Sequence, residues 1–167
     1  MYRNVDEALK AAYRLAEVRI EPLNNTAQIC QWMQERGVRL GGSGLSQHEW
    51  HANGAMIRSR VERLLNEAEL AAVEAQYGGN LSRIVDLSIY ILNHHRGIPM
   101  LACDDLLAHL FTGRPKQSEI QDRFDWSKGR LYRQKKRVSQ TVATLLESAI
   151  CKLEPEFLAA GIVLQVA

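Results

Sequence analysis

The stretch EIQDRFDWSKGRLYRQKKRV, residues 119–138, decides how this chain is expected to fold. Ile120 and Phe124 are four residues apart, which places both on one face of a short helix. Asp125 and Trp126 then form a tight turn, and Ser127 is of a residue type that caps helices. This spacing is typical of a helix-turn-helix, which we predict at about residues 117–138.

The second helix of this motif has two contrasting faces. On a helical wheel, a single apolar seam lies within about 40° of Leu131 and runs nearly the whole length of the helix. The opposite side carries four cations. The seam contains Val138, Val142, Leu145, Ala149 and Leu153, and the opposite side contains Arg130, Arg133, Lys136 and Arg137. Lys128 and Lys135 lie nearer the seam, so their aliphatic stems are expected to run along it.

Positive charge is concentrated at the start of this helix. Residues 128–137 contain six cations and no acid, although the whole chain has a formal net charge of only +2. Cations in a first helical turn oppose the helix dipole at a cost of a few tenths of a kcal/mol each. An external polyanion such as DNA would compensate for that cost. The alternative is an ordinary solvated basic face.

A helix-turn-helix reads DNA with the first turns of its second helix. Arginine is suited to guanine and glutamine to adenine, so Arg130, Arg133 and Gln134 are the predicted base-reading residues. Phosphate anchoring is assigned to the remaining cations of the exposed side and the first turn. The candidate DNA-binding residues are therefore Ser127, Lys128, Arg130, Arg133, Gln134, Lys136 and Arg137.

Outside the motif, the sequence predicts an all-α protein, because apolar residues recur at three- and four-residue spacing almost everywhere. Capping boxes are predicted at Ser46 with Glu49 and at Asn66 with Glu69. The helix after Asn80 is apolar nearly all round and is therefore placed in the core. Helices are expected at about 5–18, 26–36, 47–65, 67–77, 81–95, 104–111 and 117–124, and from 128 to Pro155, followed by a short terminal helix.

Two parts of the chain are distinguished by their patterns. Residues 1–45 form an N-terminal helical segment that ends in a glycine-rich loop, and residues 46–167 form a helical domain that contains the motif. An inserted helical pair is expected at about residues 80–112. The apolar tail IVLQVA, residues 162–167, is expected either to cap the core or to make a homodimer contact.

Composition and motifs exclude several classes of function. No apolar run approaches the roughly 20 residues of a membrane span, and three scattered cysteines without a C-x-x-C pair indicate a reducing cytoplasm. The HEWH sequence at residues 48–51 is not the metal-binding H-E-x-x-H pattern, and helix capping explains it better. Sequence motifs for nucleotide binding and for a catalytic nucleophile are also missing. We therefore expect that the protein is not an enzyme and that it binds no metal and no cofactor.

The motif resembles the helix-turn-helix of bacterial sigma factor region 4. Five residues match its pattern in register: Glu119, Ile120, Ser127, Arg130 and Arg137. The segment LNEAELAAVEAQYG, residues 65–78, is similar to the segment that precedes the helix-turn-helix in that region. Two departures stand out, since Asp125 occupies the usual position of a turn glycine and Gln121 that of a small residue.

The layout also resembles phage late-gene antitermination proteins of the Q type. The similar segments are GAMIRSRVERLLNEAELAAVEAQYGG, residues 54–79, and GRLYRQKKRVSQTVATLLESAICKLE, residues 129–154. The resemblance implies a protein that binds double-stranded DNA near a phage promoter and loads onto RNA polymerase, with or without sigma factor. Two alternatives stay open: a simple promoter-binding activator or repressor, and a helical adaptor that docks an acidic protein partner without DNA.

Overall fold

The computed structural model describes residues 2–17 and 47–164. These residues form seven α-helices and one 3₁₀ turn, and no strand occurs among them, which confirms the predicted all-α fold. The helices are α1 (Val5–Glu17), α2 (Gln47–Leu64), α3 (Glu67–Tyr77), α4 (Ile84–His94), α5 (Met100–Thr112), α6 (Gln117–Phe124) and α7 (Lys128–Ala159). The predicted helix at 26–36, the glycine-rich loop and the capping residue Ser46 lie outside the described residues.

The long helix α7 organises the core, because its apolar seam runs through both buried clusters. Its first half packs with α3, α4, α5 and α6 around residues such as Leu87 and Leu106, both essentially inaccessible to solvent. Its second half packs with α1 and α2 around Leu9 and Ile57. The seam residues are all buried, as the wheel predicts: Leu131, Val138, Val142, Leu145, Ala149 and Leu153.

The two ends of the described chain meet on the second cluster. The Tyr2 backbone N–H donates to the Ile162 carbonyl at 2.8 Å, and the Leu164 N–H donates to the Tyr2 carbonyl at 2.9 Å. Ile162 and Val163 are buried in the same cluster as α1. These two tail residues therefore cap the core, and α1, part of the predicted N-terminal segment, packs into the common body.

Local capping signals were predicted correctly for α3. The Asn66 side chain accepts from the Glu69 N–H at 2.9 Å, and the Glu69 carboxylate accepts from the Asn66 N–H at 3.1 Å. The prediction for the end of α7 was wrong, because the helix continues through Pro155 to Ala159. Pro155 lies on the exposed side, and burial of Phe157 in the core holds the final turn in place.

The inserted pair consists of α4 and α5 and differs from expectation in two respects. One side of α4 is open to solvent, with Val85 and Ile89 48% and 49% exposed, so the helix is not buried all round. Its neighbours α3 and α5 cover only the side that contains Leu87 and Ile91. The second helix begins at Met100 rather than Asp104, because Pro99 precedes the first turn and is compatible with a helix start.

Candidate nucleic-acid interface

The predicted helix, turn and second helix are all present. Helix α6 ends at Phe124, and Asp125 adopts the left-handed conformation at φ 48° and ψ 50°. The Trp126 N–H then donates to the Gln121 carbonyl at 3.1 Å. Aspartate enters this conformation more readily than most residues, so it replaces the usual glycine at modest cost. Ser127 is extended, and its Oγ accepts from the Arg130 N–H at 3.3 Å, which caps α7.

Helix α6 is anchored by one apolar and two polar contacts. Ile120 is fully buried, the Glu119 carboxylate accepts from the Lys116 N–H at 3.0 Å, and Arg123 pairs with Asp105 of α5 at 2.6 Å. The inserted helix α5 thus packs beside the motif and leaves the outer face of α7 open.

Trp126 connects the turn to the cationic helix. Its side chain is 6% exposed, and its ring lies against Phe124 with 5.6 Å between the ring centres. The Arg130 guanidinium carbon lies 5.2 Å from the centre of the Trp126 ring, a cation–π arrangement. The turn therefore limits the positions of the first arginine of α7.

The cations of α7 fall on two flanks. On the wheel, the arginines lie at about 200–260° from Leu131 and the lysines at about 40–140°. We call the first set, Arg130, Arg133 and Arg137, the arginine face; all three are exposed. Among the described residues, none of the six cations at positions 128–137 forms an ion pair with a carboxylate.

Gln134 corrects the predicted set of base-reading residues. The residue is 9% exposed, and its Oε1 atom has no hydrogen-bond partner. It lies about 60° from Leu131 on the wheel, at the edge of the seam, where the body of the protein covers it. Gln134 is therefore not on the exposed face of α7. Ser127 is exposed, but its hydroxyl is already used to cap the helix.

On the lysine flank, α6 and α7 form the two walls of an open groove with a volume of about 710 Å³. We call it the lysine groove. Its lining includes Gln117, Gln121, Lys128, Tyr132, Lys135, Lys136 and Ser139 above the buried Leu131. The sequence singled out Lys128 and Lys136 but gave no indication of the groove itself, because no local pattern shows how far apart two helices stand.

His109 of α5 lies behind this groove. Its Nδ1 is 2.9 Å from the Pro115 carbonyl oxygen. Because a carbonyl can only accept, Nδ1 carries a proton. Its Nε2 is 3.3 Å from both the Lys135 ammonium and the Gln117 amide nitrogen. Both of those groups donate, so the contacts fit a neutral imidazole whose Nε2 accepts. His109 thereby orients one lysine and one amide of the groove.

Within residues 2–17 and 47–164, no group of three or more histidine, cysteine, aspartate or glutamate side chains could hold a metal ion. Cys103 is buried, and burial raises the pKa of its thiol to about 11. That thiol therefore stays protonated and unreactive near neutral pH. None of the helices in the described part is both long and apolar enough to cross a bilayer.

Comparison with known proteins gives no family for this chain. No protein-family model matches the sequence, and no curated protein shows significant similarity to it. The relations to sigma factor region 4 and to the Q-type antitermination proteins remain predictions that rest on the residues quoted above.

Proposed function

We propose that this chain is a cytoplasmic, sequence-specific regulator of transcription that binds double-stranded DNA through α6 and α7. The observation that carries the proposal is the arginine face. Three exposed arginines without described carboxylate partners stand within the first turns of a helix that follows a tight, capped turn. Placed in a major groove, such a helix offers guanidinium groups to base edges and phosphates.

Binding would be non-covalent, and each side chain has a separate task. Arg130 and Arg133 would read base edges, and Lys128, Lys136 and Arg137 would anchor phosphates. Phosphate contacts supply much of the affinity and make it depend on salt, whereas base contacts supply sequence preference. Ser127 contributes by fixing the first turn of α7. No catalytic step and no cofactor is part of the proposal.

Within this class, an antitermination factor of phage type is the more specific proposal. It is supported by the resemblance of residues 54–79 and 129–154 to the Q-type proteins. Such a factor would bind DNA near a promoter and associate with RNA polymerase, with or without sigma factor. A simple activator or repressor would share the DNA contacts but would not associate with elongating polymerase. A homodimer would read two half-sites, and the number of half-sites in a selected site would reveal it.

The first experiment is fluorescence anisotropy with a labelled duplex over a salt series. We expect wild-type affinity to fall steeply with salt and Arg137→Gln to flatten the slope by about one phosphate equivalent. Arg130→Gln/Arg133→Gln should weaken binding and relax sequence preference. The matched control is Arg3→Gln/Arg14→Gln, which removes the same charge at two exposed positions before and within α1.

Equal losses in both double variants would mean that only net charge matters, and the proposal would be wrong. The same holds if the folded wild-type protein fails to bind any duplex at low salt. If duplex binding is specific to α7, selection from a random-sequence library gives the target site. A terminator read-through assay with purified polymerase then separates antitermination from control of initiation.

A further inference from the structure

The two cationic flanks of α7 differ in chemistry as well as in position. One flank carries only arginines and the other only lysines. Arginine presents a rigid fork that binds two acceptors at once, whereas lysine is a flexible point charge. The lysine flank also has a groove beside it. This division suggests that the lysine flank binds a second ligand besides DNA.

The lysine groove has the dimensions of a binding site. Its volume of about 710 Å³ lies in the range of roughly 300–1,000 Å³ found for ligand sites. One wall is α6, with the Gln117 and Gln121 amides, and the other is α7. The apolar part of the lining consists of the buried Leu131 and of Tyr132, which is 68% exposed.

The charge of the groove is uncompensated. Three lysines line it and no carboxylate does. Lys128 and Lys136 are exposed without a described carboxylate partner, and Lys135 is met only by the neutral acceptor of His109. Three ammonium groups around one cavity repel each other, and an anion between them would relieve that repulsion.

The other lining groups favour a peptide over a nucleic acid backbone. A duplex has no flexible apolar side chain to place against Leu131 and Tyr132, but a peptide has. Gln117 and Gln121 each use one amide N–H within the protein, toward His109 Nε2 and the Trp126 carbonyl. Their second N–H and their oxygen, together with the Ser139 hydroxyl, match the N–H and C=O groups of a peptide backbone. We propose that the lysine groove binds an acidic segment of a partner protein that carries an apolar residue among its carboxylates.

This site shares Lys128 and Lys136 with the proposed phosphate contacts, but the proposal does not depend on DNA binding. The experiment uses a fluorescein-labelled peptide, Asp-Glu-Leu-Asp-Glu, and the full-length protein. Ser139→Glu places a carboxylate inside the groove. Gln140→Glu places the same charge at the next position, which is exposed and is not among the residues that line the groove. We expect the peptide to bind and Ser139→Glu to weaken it by about tenfold or more, because like charges brought together are costly.

Gln140→Glu should weaken peptide binding by about twofold or less, since solvent and salt screen exposed charges. Gln117→Glu is a second groove variant on a different helix. An acid at the first position of α6 suits the helix dipole, so this variant should fold even if Ser139→Glu does not. A peptide with serine in place of leucine should bind more weakly, and one with asparagine and glutamine in place of the acids should not bind.

The outcomes separate the groove from the DNA proposal. Retained peptide binding in Arg130→Gln/Arg133→Gln supports a distinct site, even if no duplex binds to the wild type. Equal weakening by Ser139→Glu and Gln140→Glu would show diffuse attraction only and would overturn the site. Absence of peptide binding to the wild type would also overturn the site. If the groove variants then lost duplex binding as well, the groove would belong to the DNA interface.

Discussion

The guanidinium carbon of Arg130 lies 5.2 Å from the centre of the Trp126 ring, so the turn holds the first arginine of the long helix. The tryptophan in turn packs against Phe124 of the preceding helix. A side chain that is positioned before binding loses less conformational entropy when it meets its ligand. The turn thus helps to prepare the arginine face as well as to connect two helices.

A double-mutant cycle measures this contact directly. Combining Trp126→Leu with Arg130→Gln should reveal a coupling of about 0.5–1 kcal/mol in the free energy of unfolding, as expected for an exposed cation–π pair. Urea denaturation of the wild type, both single variants and the double variant supplies the four values. The same cycle with Arg133 in place of Arg130 is the control and should give a coupling near zero. Similar couplings in both cycles would contradict the assignment.

Glu69 joins α3 to α7. Its carboxylate is nearly inaccessible to solvent and accepts from Lys152 Nζ at 2.7 and 2.8 Å and from Ser148 Oγ at 2.7 Å. Glu69→Gln should lower the free energy of unfolding by about 1–3 kcal/mol, since hydrogen bonds to a charged group are lost. The control is Glu67→Gln in the same first turn, where the exposed side chain should contribute almost nothing.

The same carboxylate should make stability depend on pH. Burial opposes ionisation of Glu69, but hydrogen bonds from Lys152, Ser148 and the Asn66 N–H outweigh it and hold its pKa below the usual value. A lowered pKa in the folded state stabilises the protein above the unfolded-state pKa of about 4.5, and this contribution is lost as the pH falls through the folded-state pKa. Urea denaturation at pH 7 and below pH 4 should therefore show the difference between wild type and Glu69→Gln shrinking at the lower pH.

Substitution of Gln134 tests whether this residue belongs to the protein core or contacts DNA bases. Gln134→Met removes a buried carbonyl oxygen that has no partner and keeps a similar side-chain length. We expect a gain of about 1 kcal/mol in the free energy of unfolding, with duplex affinity and sequence preference unchanged. Arg133→Met, on the exposed arginine face, should do the reverse, weakening duplex binding with little effect on stability. A loss of sequence preference in Gln134→Met would restore the residue to the interface.

Replacement by alanine should have opposite effects on stability at Gly129 and at Gly113. A Cβ atom added to Gly129 or to Gly113 would meet nothing within 4 Å beyond its chain neighbours and its own helix backbone. Gly129 lies in the first turn of α7, so Gly129→Ala should stabilise the protein by about 0.5–1 kcal/mol. Gly113 ends α5 in the left-handed conformation at φ 76°, and Gly113→Ala should destabilise it by about 1–2 kcal/mol. Thermal unfolding of the two variants provides the comparison.

The sequence by itself determined the helical class, the bounds of α6, the start of α7 and the capping box at Asn66. It also determined which side of α7 is buried. These features depend on interactions between residues at most four positions apart, through the helical period and the capping of the first turn. The resemblance to known regulators predicts a function but does not predict where the helices lie relative to one another.

Only the tertiary structure decided the rest. The approach of His109 to Lys135, 26 positions away in sequence, the burial of Gln134 and the lysine groove all depend on where separate helices come to rest. The open side of α4 has the same origin, since an apolar helix is buried only where a neighbour covers it. Local patterns fix what a helix can bury, and the packing of distant helices fixes what it does bury.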